Sequence, residues 1–286
     1  MKHRLSVESL RSFLADDREI DISMEKKVMT DFLNVTELAG DDVTSEQVDR
    51  LCHRYYWAGG YCRGKDVLEA ACGTAQGAGY LAGLARSYRA GEYSEEILKI
   101  ARSHYGERIR MDQFDAQQMP FENSSFDVVV LFEAIYYLPS AGRFVAECHR
   151  ILRPGGKVLI ATANKDLYDF NPSPHSYVYY GVSELGDLFA QHGFGAEFFG
   201  NTPVDSLSLR QQVLRPIKKI VVNSGLMPKT MAGKKFMKRL AFGSLVPMPA
   251  EIFENMVTYA EPVSLPAGCP DRAHKVIYCV GTLLNG

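Results

Sequence analysis

The sequence predicts an α/β protein built on a doubly wound, mostly parallel sheet, and three observations predict it. Apolar strand runs alternate with helical stretches from Asp66 onward, the pattern of parallel strands joined by crossover helices. One run, Val128-Val129-Val130-Leu131-Phe132, is apolar without alternation, which suits a strand covered on both faces. Another, Val67-Leu68-Glu69-Ala70, runs into the small-residue turn Ala71-Cys72-Gly73-Thr74-Ala75-Gln76-Gly77, where backbone N–H groups can come close to a ligand.

Taken in order, the chain opens with a helical pattern. Val28, Phe32, Leu33 and Val35 to Leu38 fall at three-and-four spacing, and Thr44-Ser45-Glu46-Gln47 is a helix start ahead of Val48, Leu51 and Tyr55. A helical cap over residues 1–60 is expected, its last helix ending near Ala58-Gly59-Gly60. Strands are expected at Val67 to Glu69, Tyr88 to Gly91, Ile109 to Met111, Val128 to Phe132 and Val158 to Thr162. A helix at Ser183 to His192, a strand at Ala196 to Phe199 and a last strand at Lys275 to Val280 complete a core assigned to residues 61–200 and 274–286. The intervening segment, 201–273, is far longer than an ordinary connection and reads as an acceptor-binding or assembly element. Helices are expected in it at Ser208 to Asn223, kinked or broken at Pro216, and at Gly233 to Ala241.

Composition bounds the function. The chain has 286 residues, 46% of them hydrophobic and 23% charged, enough for one large core. No apolar stretch approaches the roughly 18 residues of a membrane span, and Met1-Lys2-His3-Arg4 leads into mixed polar sequence without a signal-peptide core. The expected location is cytoplasmic, with a membrane-peripheral position left open. Six cysteines show no C-x-x-C pair and no zinc-ligand spacing with histidine, so reduced thiols and no metal are expected. The net charge is −2, yet between Asp205 and Glu251 there is no acidic residue, while Arg210, Arg215, Lys218, Lys219, Lys229, Lys234, Lys235, Lys238 and Arg239 lie there. Such a basic amphipathic stretch either meets an anionic, acyl-linked or membrane-proximal acceptor or packs its apolar stripe on the domain with its cations in water. Nucleic acid fits poorly, because only Phe236 and Phe242 offer stacking surfaces there. A homodimer is compatible with the sequence.

The turn lacks the Gly-x-Gly-x-x-Gly spacing of a dinucleotide site. After it come Ala90-Gly91-Glu92-Tyr93-Ser94, Asp115-Ala116-Gln117-Gln118-Met119-Pro120-Phe121, Ser125-Phe126-Asp127-Val128-Val129-Val130 and Leu152-Arg153-Pro154-Gly155-Gly156. In this order, across residues 64–162, the motifs resemble those of the class I S-adenosylmethionine-dependent methyltransferases. Ala71 and Ala75 stand where that family commonly has glycine. The resemblance implies a seven-stranded Rossmann-like sheet with an antiparallel last strand, S-adenosylmethionine as cofactor and S-adenosylhomocysteine as product. It implies further that Ala71 and Gly73 line the methionine part, with Glu69 near its amino group. Glu92, beside Tyr93, would bind the ribose hydroxyls, and Asp115, Ala116 and Gln117 would meet the adenine. Each carboxylate is also open to a plainer reading as a strand-end or helix-cap group.

The same resemblance places Phe132 and Glu133-Ala134-Ile135-Tyr136 beside the departing methyl group, with Glu133 offsetting the sulfonium charge. Glu133 as a capping carboxylate beside packing tyrosines is the alternative. Arg54 and Tyr55, next to His53, resemble an N-terminal segment found in some of these enzymes, and Arg54 would pair with the methionine carboxylate; a surface arginine with core tyrosines is the competing reading. His175, in the proline-stiffened loop Asn171-Pro172-Ser173-Pro174-His175-Ser176-Tyr177, lies where open α/β sheets bind ligands. It is the first candidate for a general base, since an unperturbed histidine titrates around pH 6.5, or else a solvated loop residue; His53, His149 and His274 are rivals. The expected activity is methyl transfer to a small-molecule hydroxyl of a sugar or secondary metabolite. The Asn/Asp-Pro-Pro-Tyr tetrapeptide of amino-methylating enzymes is absent at residues 133–136. C- or N-methylation of a lipophilic or quinone-like acceptor is the alternative. A non-catalytic binding or assembly protein, with Ala71 and Ala75 marking a decayed turn, is the second.

Overall fold

The computed structural model describes residues 33, 36–173, 175–204 and 245–284. Much of the opening helical pattern, the helices expected at 208–223 and 233–241, and the basic run from Arg210 to Arg239 lie outside the described residues. Ten strands are described: β1 (Asp42–Val43), β2 (Asp66–Ala70), β3 (Ser87–Glu92), β4 (Met111–Gln113), β5 (Phe126–Phe132), β6 (Leu152–Ala163), β7 (Phe194–Pro203), β8 (Val246–Pro247), β9 (Val263–Leu265) and β10 (His274–Leu283). The helices are α1 (Ser45–Cys62), α2 (Ala78–Leu84), α3 (Glu95–Tyr105), α4 (Ala141–Ile151) and α5 (Val182–Gln191).

Eight strands form one sheet in the order β4-β3-β2-β5-β6-β10-β7-β9. Strands β4, β3, β2, β5 and β6 are parallel, and β10 runs antiparallel between β6 and β7. The expected antiparallel last strand is therefore in place. The sheet exceeds the expected seven strands because β9 adds an edge, pairing Val263 to Leu265 with Gly200 to Phe198. The third expected strand begins two residues later, at Met111, because a 3₁₀ turn at Gly106–Arg108 takes up the chain after α3.

Burial on two faces explains why β5 is apolar throughout. Leu68, Val129, Leu131, Val158, Ile160 and Ile277 pack against residues of α4 and α5. Val67, Val128, Val130, Phe132, Leu159, Ala161 and Tyr278 pack against α1 through Leu51, Tyr55, Trp57, Ala58 and Cys62.

Helix α1 begins with the expected capping box. Thr44 Oγ1 accepts from Gln47 N at 3.3 Å, and Gln47 Oε1 accepts from Thr44 N at 3.0 Å. It runs through Gly59-Gly60 to Cys62 rather than stopping there, for a packing reason. A Cβ at Gly59 would lie 2.8 Å from Leu84 Cδ1 and 2.9 Å from the Tyr80 hydroxyl, so this glycine lets α1 close on α2 and is not a stop signal. The stop is Gly64, at φ +69°. The described residues from Glu37 onward belong to one compact unit, and α1 packs with the sheet.

Trp57 fastens the helix: it is 6% exposed and its ring stacks on Tyr278 at 4.6 Å and 26°. Trp57→Ala is expected to lower unfolding free energy by about 3–5 kcal/mol, measured by chemical denaturation.

Candidate functional site

The turn after β2 passes through the left-handed region at every second residue: Ala71 at φ 51°, Gly73 at 58° and Ala75 at 62°. Glycine adopts this conformation freely, whereas an L-residue there costs roughly 1–2 kcal/mol. The two alanines thus keep the backbone path of a glycine turn while carrying methyl groups. The strain is held by the neighbouring strand. Cys72 N donates to Gly91 O at 3.0 Å, and Gly73 N donates to Glu92 Oε2 at 3.0 Å. Glu92 Oε1 accepts from Tyr93 N at 2.8 Å and Ser94 N at 3.0 Å, so one carboxylate joins the ends of β2 and β3. Burial raises its pKa, and the N–H groups of Ser94, Gly73 and Tyr93 oppose that rise. The Cys72 thiol is pushed well up by burial and by Glu92 and Glu69, which removes it as a nucleophile.

Tyr55 roofs the turn. A Cβ at Gly77 would fall 2.1 Å from the Tyr55 ring, so only glycine permits that approach. Tyr55 Oη donates to Glu69 Oε1 at 2.5 Å, and the Tyr88 hydroxyl donates to Glu69 Oε2. Glu69 is 1% exposed; burial raises its pKa, opposed by the two tyrosine bonds and the Arg54 charge. Both oxygens that the sequence assigned to a ligand amino group are thus engaged by tyrosines, beneath the turn.

Beyond β4, Asp115 closes a short turn. Its Oδ1 accepts from Gln117 N at 2.8 Å, and its carbonyl accepts from Gln118 N at 2.9 Å. Gln117 Oε1 in turn accepts from Ser140 N at 2.9 Å, and Ala116 is buried in the core. Asp115 stands half-buried two residues past the end of β4, where Gln113 pairs with Glu92.

At the end of β5, Phe132 meets Tyr55 edge-on at 5.2 Å. Glu133 then turns left-handed, at φ 51°, with its N–H on Ala161 O at 2.8 Å. Tyr136 Oη donates to Glu133 Oε2 at 3.0 Å; burial and then Glu133 push this hydroxyl well above the usual phenol range. Tyr136 stacks on Tyr179 at 4.3 Å and 19°, and Phe170 meets Tyr179 edge-on at 4.7 Å. The His175 loop docks on this aromatic wall through Tyr177 N to Tyr136 O at 2.7 Å and Tyr137 Oη to Ser173 Oγ at 2.8 Å. His175 itself is exposed, at φ 71°. Of its rivals, His274 holds Asp271 through Nδ1 at 3.1 Å in a buried network with Asn164, and His53 Nε2 lies 3.1 Å from Thr258 O.

Arg54 projects between α1 and the sheet. Burial disfavours its cation, yet Tyr55, Glu133 and Glu37 carry its pKa above the usual guanidinium value. The structure thus gathers Arg54, Tyr55, Glu69, Ala71, Gly73, Glu92, Phe132, Glu133 and Tyr136 at the carboxyl ends of β2, β3 and β5, with Asp115 next in line. Sequence reasoning missed Tyr88, whose hydroxyl bonds Glu69 across the strand pair, and Tyr179, whose stacking on Tyr136 joins segments far apart in the chain. It also missed Thr74, whose Oγ1 is buried in the turn without a partner. Among the described residues no cluster of His, Cys, Asp and Glu could hold a metal ion, and no helix is long and apolar enough to cross a membrane.

Residues 68–160 match the methyltransferase domain family. The chain is 35% identical over 152 residues to a probable S-adenosylmethionine-dependent methyltransferase of Mycolicibacterium smegmatis, covering 52% of this chain and 56% of the relative. It is 34% identical over 155 residues to the phthiotriol/phenolphthiotriol dimycocerosates methyltransferase of Mycobacterium leprae, covering 53% and 56%. It is 26% identical over 239 residues to an O-methyltransferase of Penicillium expansum, covering 78% of each. The chain thus spans about half the length of the mycobacterial relatives. In fold it is similar to the YcgJ protein of Bacillus, with a TM-score of 0.52 at 17% identity, covering 82% of this chain and 99% of that one.

The Glu69 environment predicts a pH effect. A carboxyl whose folded pKa is raised stabilises the fold below its unfolded pKa of about 4.3, and that stability is lost as pH rises through the folded pKa. Glu69→Gln, which cannot ionise, is expected to gain on the wild type in Tm as pH rises from 4 to 8. Thermal denaturation at both values tests this.

Proposed function

We propose, from the premise that this chain is a class I S-adenosylmethionine-dependent methyltransferase by family, that it transfers a methyl group to a small-molecule acceptor, most simply at a hydroxyl. The observation that carries this reading is the half-buried Glu92 carboxylate bound to the left-handed turn at Gly73. It sets a fixed anion beside a backbone cradle, which suits a ribose and an amino-acid tail. The residues fit such a cofactor further through two buried polar atoms that have no protein partner, Thr74 Oγ1 in the turn and Arg54 Nε above it.

In this reading S-adenosylmethionine supplies an electrophilic methyl carbon on a positively charged sulfur. Glu92 takes the ribose hydroxyls, with Tyr93 beside it, and Asp115, Ala116 and Gln117 meet the adenine. Ala71 and Gly73 border the methionine part, and Arg54 takes its carboxylate. Glu69 orients the roof through Tyr55 and Tyr88. Phe132, Glu133 and Tyr136 face the transferred carbon, where the Glu133 carboxylate opposes positive charge. When bound, the cofactor would supply a methyl carbon open to displacement from sulfur, and an acceptor hydroxyl would need a base to take its proton. Alignment supplies much of the rate, and His175, on the loop docked against Tyr136, is the candidate to accept the proton.

The aromatic wall of Tyr136, Tyr179 and Phe170 supports a second reading, C- or N-methylation of a flat or lipophilic acceptor whose own ring acidifies the nucleophile. The lipid-type acceptor named for the M. leprae relative and the O-methylation named for the P. expansum relative lend support to each reading in turn. The segment 201–273, with its basic run, is proposed to approach such acceptors or a second copy of the chain.

Calorimetric titration with S-adenosylhomocysteine is expected to show binding that weakens at least about tenfold, or about 1.4 kcal/mol, in Glu92→Gln and in Asp115→Ala. No binding to the wild type would favour an assembly protein instead. Once an acceptor is found, His175→Ala is expected to lower kcat about 100-fold, within the usual range for a lost general base, if oxygen is methylated. Near-normal turnover would point to the ring-activated acceptor.

A further inference from the structure

Arg50 and Arg54 lie one turn apart on α1, in a stripe that continues into Trp57 and so faces Tyr278. Both are half-buried, and the Nε of each is buried without a hydrogen-bond partner. Several other half-buried cations of the described residues meet a carboxylate, while Lys157 Nζ donates to Thr282 Oγ1 at 2.8 Å. Arg89 meets Asp112 at 2.5 Å, Arg150 meets Glu147 at 2.8 Å, Arg153 meets Asp127 at 2.9 Å and Lys275 meets Glu46 at 2.7 Å. A guanidinium taken from water without an anion is unfavourable, and its planar fork is shaped for an oxyanion.

Glu133 and Glu37 act on Arg54 through their charge, but neither they nor Glu46 hydrogen-bonds Arg50 or Arg54. Glu46, one turn before Arg50 and its natural helical partner, gives both oxygens to Lys275 Nζ at 2.7 Å. Glu37 accepts from Gln47 Nε2 at 2.5 Å, and Glu133 accepts from Tyr136 at 3.0 Å. The Tyr278 hydroxyl, raised by burial, feels both the Arg54 and the Arg50 charges, which places the two cations over the same part of the sheet. Helix α1 is anchored at the start of β10 by Glu46 and at the end of β2 by Tyr55. Arg54 therefore lies on the side of the turn, and Arg50 lies one helical turn nearer β10.

We propose that Arg50 binds a carboxylate or phosphate group of the methyl acceptor, so that the substrate is a small hydroxylated oxyanion rather than a neutral molecule. This rests on the methyltransferase reading, with Arg54 holding the cofactor's carboxylate. The acceptor then lies between Arg50 and the aromatic wall, its anionic end at α1 and its nucleophile toward Glu133.

The test uses the full chain saturated with S-adenosylhomocysteine and titrated calorimetrically with 3-hydroxybenzoate, phenyl phosphate and the neutral 3-hydroxybenzyl alcohol. At least one anionic probe is expected to bind about tenfold or more tighter than the alcohol, and the stronger of the two identifies the group as carboxylate or phosphate. Arg50→Gln is expected to lose that preference by about 10- to 100-fold, while Arg50→Lys keeps part of it and the homocysteine product binds within about twofold of wild type. Equal binding of anionic and neutral probes, or a preference that survives Arg50→Gln, overturns the proposal. So does a loss of product affinity in Arg50→Gln as large as in Arg54→Gln, which would assign both arginines to the cofactor. If the wild type takes up no S-adenosylhomocysteine, the methyltransferase reading falls, and the same probe series on the unliganded chain decides whether the oxyanion site stands by itself.

Discussion

The carboxylate of Glu92 is the tie on which the site depends. It accepts N–H groups from Gly73, Tyr93 and Ser94, and so fixes the turn after β2 to the start of α3. Two alanines hold left-handed conformations in that turn at a cost, and a charged acceptor that outcompetes water for Gly73 N–H is what offsets it. Burying that carboxylate is itself unfavourable, as its raised pKa records. A fold that places a costly anion against a costly turn concentrates both at one place, and such concentrations are where ligands bind.

Helix α1 performs two tasks because it lies across the sheet at the strands' carboxyl ends. Its apolar residues, with Trp57 on Tyr278 and Tyr55 on Phe132, complete one of the two buried faces. Its polar groups reach the strand ends: Tyr55 to Glu69, Glu46 to Lys275, and Arg50 and Arg54 to no protein anion. Packing thus holds both guanidinium groups half-buried, with Glu133 and Glu37 acting on Arg54 through their charge alone. Glu69 shows the opposite economy, since two tyrosine hydroxyls satisfy it completely and leave it as the support of the roof.

Much of the fold was legible because its signals are local. Continuous apolar runs marked β2 and β5, the Thr44 and Gln47 capping box marked the start of α1, and the run from Lys275 marked β10, whose antiparallel place the family resemblance implied. The misplacements also have local causes. Gly59 read as a stop because sequence does not show Leu84 and Tyr80 pressing against it. Strand β4 slipped because a 3₁₀ turn consumed Gly106–Arg108, and β9 was missed because Val263–Leu265 is too short to stand out. At the site, Glu92, Asp115 and Glu133 were singled out by the family resemblance; Glu92 ends β3, Glu133 follows β5 and Asp115 lies just past β4. Tyr88 and Tyr179 were not singled out, since their partners are brought to them only by the sheet. Arg50 left a faint trace, four residues before Arg54 in a helix already expected, but its meaning depends on Glu46 being taken by Lys275 from across the chain.

The central claim is that the turn at Ala71 to Gly77 and the carboxylate of Glu92 form one cofactor site. The most direct measurement is a crystal structure of the chain grown with S-adenosylhomocysteine. The account predicts the ribose hydroxyls within hydrogen-bond distance of Glu92, the adenine beside Asp115 and Gln117, and the sulfur facing Glu133 and Tyr136. A ligand bound elsewhere, or a turn that stays closed on Glu92 while the ribose rests on other groups, would contradict it.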